Sequence, residues 1–113
     1  MNDDTLYLIH IRDCVARIKA YTSSGREAFF SLPETQDAVI RNLEVIGEAA
    51  KRVSELTRAK NPQIPWKRVA GLRDILIHEY MSVDLSEVWT IIERDIPALE
   101  LVVASIIDER RRE

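Results

Sequence analysis

The sequence predicts an all-α protein, an antiparallel bundle of four main helices with one short extra helix. Apolar residues recur at alternating steps of four and three along most of the chain, which is the spacing of one helix face. Apolar residues make up 46% of the 113, enough for a core, whereas 6% aromatics and three glycines argue against a sheet-rich barrel or sandwich. The length suits one domain, over residues 1–113.

The first helix is predicted to begin at Asp3 or Asp4, either of which can cap it, and to end at Ser23-Ser24-Gly25. A short turn of helix is expected over Arg26 to Ser31, before Pro33. The apolar stripe of the first helix consists of Tyr7, Ile11, Cys14, Ile18 and Tyr21.

The second helix is predicted from about Thr35 to about Lys60. Gly47 lies inside it at a cost of roughly 1 kcal/mol relative to alanine, which indicates close approach of another helix. The segment Asn61-Pro62-Gln63-Ile64-Pro65 then breaks the helical pattern. The stripe consists of Val39, Leu43, Ile46, Ala50 and Val53.

The third helix is predicted to have Pro65 in its first turn and to fade near Tyr80. Its stripe consists of Trp66, Val69, Leu72, Ile75 and Leu76.

The fourth helix begins with the capping-box spacing of Asp84 and Glu87. Pro97 lacks a backbone donor, so a kink or a break between two collinear helices is expected there. The all-charged tail from Asp108 to Glu113 is expected to fray. The stripe consists of Leu85, Trp89, Ile92, Ile96, Leu99, Val103 and Ile106.

Composition excludes several classes of protein. The net charge of −3 gives no bulk attraction to nucleic acid or to an anionic membrane. A single cysteine, Cys14, excludes an intrachain disulfide and a cysteine-based zinc site, and suits a reducing compartment. The start lacks the features of a signal peptide, and no apolar run approaches the ~18 residues that span a bilayer. We therefore expect a soluble cytoplasmic protein.

Common metal and cofactor motifs are missing from the sequence. It contains no Glu-x-x-His pair of the kind that di-iron bundles use, and no glycine-rich phosphate loop. The two histidines, His10 and His78, are too few for a histidine-rich metal site in one chain, and His10 falls on the polar side of the first helix. We expect neither a metal nor a cofactor.

Positive charge is concentrated between Leu56 and Arg73. This segment has five basic residues and no acid, so it carries +5 and leaves −8 on the rest of the chain. It is either a local phosphate-binding footprint or a solvated loop with its flanking turns, and charge alone favours the loop. The five are Arg58, Lys60, Lys67, Arg68 and Arg73.

Three side chains suited to proton or phosphate chemistry follow this segment. Asp74 and His78 are one helical turn apart, so the carboxylate can orient the imidazole and raise its pKa. Arg73 and Tyr80, seven residues apart, share another azimuth, roughly 140° from that of His78. Either the helix ends near Ile77, or a second copy of the chain completes the site. The spacing alone fits a structural histidine as well as a catalytic one.

Arg73, His78 and Tyr80 form an R-x4-H-x-Y motif, and the sequence resembles the HepT-like toxins of the HEPN superfamily. The resemblance covers nearly the whole chain. Many members have Asn where this chain has Asp74, which leaves the central motif intact. The flanking matches are Ile64-Pro65-Trp66-Lys67, Gly71-Leu72, the run from Arg41 to Ala50, Val83-Asp84, Val88-Trp89 and the run from Asp95 to Leu99.

The resemblance implies a HEPN-like fold and a homodimeric, metal-independent endoribonuclease toxin whose substrate is RNA, with tRNA among the candidates. An MntA-like nucleotidyltransferase antitoxin would silence it by transferring AMP to Tyr80. Arg73 and His78 would be catalytic. The supporting candidates are Asp74, through its position beside His78, and Arg41, Asn42 and Glu48, which match motif positions on the second helix.

The residue types suit this chemistry. Attack by the 2′-hydroxyl of RNA needs a proton acceptor, a proton donor and a cation, and His78 and Arg73 could supply them from two copies of the chain. The basic segment would then bind the RNA backbone through Arg58, Lys60, Lys67 and Arg68. Two alternatives remain open, which are a non-catalytic HEPN-type dimer that binds a nucleotide or partner and a purely structural bundle.

Overall fold

The computed structural model describes residues 4–77 and 84–112, apart from the side chains of Arg73 and Ile77. Every regular element in these residues is helical, which confirms the predicted all-α class. The elements are α1 (Asp4–Tyr21), α2 (Arg26–Ser31), α3 (Pro33–Arg52), α4 (Glu55–Lys60), α5 (Trp66–Ala70), α6 (Leu72–Ile77), α7 (Leu85–Thr90), a π-helical turn (Ile91–Asp95) and α8 (Ile96–Arg112).

The long helices α1, α3 and α8 form the frame of the bundle. Lys19, near the end of α1, pairs with Glu100, near the start of α8, at 3.1 Å. At the opposite end, Asp4 accepts a 2.9 Å hydrogen bond from the Ser54 backbone N–H, just after α3, and lies 3.4 Å from Arg110, near the end of α8. Helix α1 is therefore antiparallel to both α3 and α8.

The core lies where the predicted apolar stripes meet. Short α2 contributes Phe29, whose ring lies 5.3 Å from that of Trp89 in α7. Two residues of the predicted stripes are exposed instead, Tyr21 at 43% and Ile75 at 39%. The largest fully buried side chains include Leu8, Ile11, Ile18, Leu43, Ile46, Leu76, Ile91 and Ile96.

The prediction of one continuous second helix was wrong, because the chain leaves the helix at Val53 and starts α4 at Glu55. Ser54 caps α4 by accepting a hydrogen bond from the Thr57 N–H at 3.3 Å. The backbone N–H of Ser54 is itself held by Asp4. A contact with the start of the chain thus fixes this break.

The predicted third helix is also divided, into α5 and α6, with Gly71 between them. The Gly71 N–H donates to the carbonyls of Lys67 at 3.0 Å and Arg68 at 3.2 Å. A Cβ at position 71 would lie 3.3 Å from the Lys67 carbonyl oxygen, which favours glycine at this turn. Pro65 lies at the cap of α5, one residue before the helix.

The fourth helix follows the prediction at its start and at Pro97. Asp84 accepts hydrogen bonds from the N–H groups of Ser86 at 2.9 Å and Glu87 at 3.2 Å. The break near Pro97 is a π-helical turn that ends at Asp95, and the Ile96 N–H donates five residues back to Ile91. The wider turn precedes the proline, which has no N–H to donate.

The expected fraying of the tail was wrong over the residues described, because α8 continues to Arg112. The guanidinium of Arg110 donates to the Thr57 hydroxyl at 2.7 Å and to Asp4 at 3.4 Å. Side-chain contacts with two other segments therefore hold the last turns.

Candidate active site

Helix α6 carries Arg73 and packs against α3. The Gly71 turn sets where α6 begins, and the carbonyl of Gly71 accepts from the Ile75 N–H at 3.0 Å. The side chain of Arg73, together with His78 and Tyr80, lies outside the described residues. Their roles therefore stay predictions, while the fold places the helix of Arg73 on α3.

The supporting candidates on α3 differ in their surroundings. Arg41 has a side chain that is 74% exposed and lies 4.0 Å from Glu44. Asn42 is buried, and its amide donates to the Ala38 carbonyl, one turn earlier in α3, at 2.8 Å, so the helix itself satisfies one of its N–H groups. Glu48 is partly buried, and Lys51 lies 3.8 Å from it.

Asp74 lies in the first turn of α6 and is exposed. Its predicted contact with His78 involves a residue outside those described. Solvent exposure leaves the carboxylate able to contact a substrate or a neighbouring side chain.

Two of the three arginines of the basic segment, Arg58 and Arg68, are engaged by other elements. Arg68 forms ion pairs with Asp95 at 3.1 Å and Glu87 at 3.6 Å, which ties α5 to the π-helical turn and to α7. Arg58 donates from Nε to the Val53 carbonyl at 3.0 Å and so fastens α4 to the end of α3. Two carboxylates therefore offset the charge of Arg68, and the guanidinium of Arg58 is bound to the protein's own backbone, so both are less available to RNA than the sequence predicted.

The two lysines of this segment differ from its arginines. Lys60 and Lys67 are exposed, and neither forms an ion pair with any residue of the described ranges 4–77 and 84–112. Their ammonium groups are open to a bound anion.

A buried polar network that sequence reasoning missed lies at one end of the bundle. Asp4 is 3% exposed and accepts hydrogen bonds from the Ser54 hydroxyl at 2.6 Å and from the Thr57 hydroxyl. Burial raises the pKa of the Asp4 carboxyl, but the hydrogen bonds from Ser54 and Thr57, helped by the Arg110 charge, outweigh it and hold the pKa below 3.8. In the sequence, Asp4 indicated only a helix cap.

Among the described residues, no group of three or more His, Cys, Asp or Glu side chains could hold a metal ion. None of their helices is long and apolar enough to cross a membrane.

These features define an all-α, HEPN-like bundle in which the helix bearing the motif arginine packs on the long third helix. The family described as Ribonuclease HepT-like matches residues 11–106, and the chain belongs to this family.

Three relatives show how far the similarity extends. The chain is 43% identical over 108 residues to a Methanocaldococcus jannaschii protein whose name couples a γ-glutamylcyclotransferase to an RNase. The match takes in 95% of this chain and 49% of that protein, so the chain spans about half of its length.

Two shorter relatives are matched over most of their length. A Caldanaerobacter subterraneus protein named as an RNase is 39% identical, over 93% of this chain and 95% of its own. A Thermococcus cleftensis protein named as ribonuclease HepT is 40% identical, over 83% and 86%. No solved structure matches the chain.

Proposed function

We propose that this chain is the toxin of a toxin–antitoxin pair and cleaves RNA as a metal-independent endoribonuclease. The observation that carries the proposal is the complete R-x4-H-x-Y motif, Arg73, His78 and Tyr80, within the residues matched by the ribonuclease family. The packing of α6 on α3 supports the proposal. The family-like run from Arg41 to Ala50 on α3 and the start of the motif at Arg73 on α6 then lie on neighbouring helices.

In this mechanism the 2′-hydroxyl of RNA attacks the adjacent phosphorus and the 5′-oxygen of the next nucleotide leaves. His78 accepts the 2′-hydroxyl proton or donates a proton to the leaving oxygen, and Arg73 binds the phosphate oxygens. A homodimer supplies two copies of each residue, so both proton roles are filled. Asp74 orients the imidazole of His78.

The RNA backbone follows the basic segment. Lys60 and Lys67 contribute most of the attraction, because their ammonium groups are exposed. Arg58 and Arg68 contribute less, because one is bound to a carbonyl and the other to two carboxylates. This division supports RNA binding by an acidic protein through a limited surface.

An RNase assay on the purified protein tests the proposal. We expect wild type to cleave single-stranded RNA with and without EDTA, and His78→Ala to lose cleavage by about 10²–10⁴-fold. Nucleotide binding without cleavage would favour the non-catalytic alternative. Activity that disappears with EDTA and returns with a divalent ion would overturn the metal-independent mechanism.

Regulation acts through Tyr80. Its phenol oxygen attacks the α-phosphorus of ATP on the antitoxin nucleotidyltransferase, pyrophosphate leaves, and the phenolic proton passes to solvent. The attached AMP adds a negative charge and a bulky base beside Arg73, where RNA would bind.

Intact-mass spectrometry after incubation with an MntA-like nucleotidyltransferase and ATP tests this assignment. We expect wild type to gain AMP, and Tyr80→Phe to gain none while keeping its nuclease activity. Equal AMP addition to both proteins would place the modification on another residue.

A further inference from the structure

A cleft of about 440 Å³ lies between α4, the residues after it and the last turns of α8. Its size falls in the range of small-ligand sites. Of its ten lining residues only two, Leu56 and Ile106, are aliphatic, so the cleft does not suit an apolar ligand. Six of the lining residues have polar or charged side chains that could contact a ligand. They are Lys60, Asn61, Gln63, Ser105, Glu109 and Arg110.

The end of the bundle that holds this cleft is positively charged, although the whole chain carries −3. Residues 51–63 and 105–112, together with Asp4, contain seven basic and four acidic side chains. Among the residues that line the cleft, two are basic, Lys60 and Arg110, and one is acidic, Glu109. The local field therefore favours an anion.

The protein's own contacts engage some of the side chains that line the cleft and not others. Arg110 uses Nη2 to bind Thr57 and Asp4, and no other nitrogen of this guanidinium bonds to the described residues. Lys60, Gln63 and Ser105 likewise form no side-chain hydrogen bond or ion pair within the described residues. The network fixes one edge of Arg110 and leaves donors for a ligand.

We propose that this cleft binds a single-stranded RNA nucleotide away from the cut, with its phosphate on Lys60 and Arg110. The inference rests on the proposed function for the identity of the RNA, and it gives the substrate a second contact. Gln63 and Ser105 offer donors and acceptors to the ribose 2′-hydroxyl. Glu109 would repel a phosphate but can accept a hydrogen bond from that hydroxyl.

Binding measurements in the full chain carrying His78→Ala test the cleft independently of cleavage. The probe is a twelve-nucleotide single-stranded RNA, and fluorescence anisotropy gives its affinity over a series of KCl concentrations. We expect Lys60→Ala to weaken binding several-fold and to make the salt dependence shallower by about 0.7–1 in log–log slope. Lys19→Ala is the control for loss of one positive charge, since Lys19 pairs with Glu100 at the opposite end of the bundle, and it should leave both values unchanged.

A second variant tests the ribose contact without changing charge. Gln63→Ala should reduce the ratio of RNA affinity to affinity for the DNA oligonucleotide of the same sequence. Amide NMR shifts of residues 54–63 and 105–110 locate the bound probe. Shifts with both RNA and AMP would indicate a site that also accepts free nucleotide, whereas shifts with RNA alone would indicate a site for the strand.

The result that overturns the inference is specific to the cleft. Unchanged affinity and salt slope in Lys60→Ala, with no amide shifts at the cleft, would exclude it even if wild type cleaves RNA. Absent cleavage by wild type, with Lys60-dependent RNA binding, would instead reject the nuclease proposal and keep the cleft.

Discussion

Two regions of the molecule are built in contrasting ways. At the end that holds Asp4, one buried carboxylate joins the start of α1, the cap of α4 and the last turns of α8. The α5–α6 region consists of helices of five and six residues joined at Gly71, with Asp74 and Ile75 exposed. The first region has the contacts that stabilise a fold, and the second has short helices and exposes Asp74 and Ile75. Substitutions should therefore affect stability in one region and chemistry in the other.

The largest expected effect is on activity in the motif region. Arg73→Ala should lower the rate of RNA cleavage by about 10²–10⁴-fold, because in the proposed mechanism Arg73 binds the phosphate that gains charge in the transition state. Its melting temperature should stay at the wild-type value, and circular dichroism measures this. Arg94→Ala, which removes an exposed arginine of the π-helical turn, is the control. A melting temperature that falls with the activity would show that Arg73 is structural.

The complementary effect is on stability at the Asp4 network. Asp4→Asn should lower the free energy of unfolding by roughly 2–4 kcal/mol, because it leaves Arg110 without its carboxylate. It also replaces one of the two carboxylate oxygens that accept hydrogen bonds from Ser54 and Thr57. Urea unfolding measures the change. Asp13→Asn on the same helix is the control, since its carboxylate is half exposed and pairs only with neighbouring Arg12 among the described residues. Equal losses in both variants would contradict the importance of the network.

Local signals made much of the fold predictable. The Asp84 cap and the break before Pro97 depend on residues within one or two turns, and both were predicted. The break at Ser54 depends on Asp4, fifty residues earlier, and the ordered end of α8 depends on Arg110 reaching Thr57. Such contacts exist only once the helices pack, so the helical pattern could not indicate them.

The candidate site divides in the same way. Its motif is a local pattern, Arg73, His78 and Tyr80, which family membership supports and which the described residues do not test. The basic segment looked uniform in the sequence, yet Arg68 meets Asp95, twenty-seven residues away, while Lys60 stays exposed. Which cations face solvent is decided by tertiary packing and could not be predicted from their spacing.

The pH dependence of stability should report the Asp4 network. The pKa of this carboxyl is held below its ordinary 3.8 in the folded state, so the stabilisation is fully present above that value. It is lost as the pH falls below 3.8 and through the lower folded-state pKa. Urea unfolding between pH 6 and about pH 2 should show a steeper acid loss in wild type than in Asp4→Asn. Parallel curves would mean that other carboxylates dominate.

The smallest expected change comes from two glycines at turns between helices, Gly71 in the α5–α6 region and Gly25 outside it. At Gly71 an added Cβ would lie 3.3 Å from the Lys67 carbonyl, so in Gly71→Ala this carbonyl at the end of α5 must move by a few tenths of an ångström. The cost is at most about 1 kcal/mol, partly offset by the lower entropy of the unfolded chain. Because Arg73 follows two residues later, cleavage should fall more than stability. Gly25, between α1 and α2, has a φ of +94° with an extended ψ and open space around it, so Gly25→Ala should cost about 1–3 kcal/mol with no change in activity. Melting temperatures and initial cleavage rates of both variants measure the two effects. A loss of activity in Gly25→Ala as large as in Gly71→Ala would contradict the distinction between the two regions.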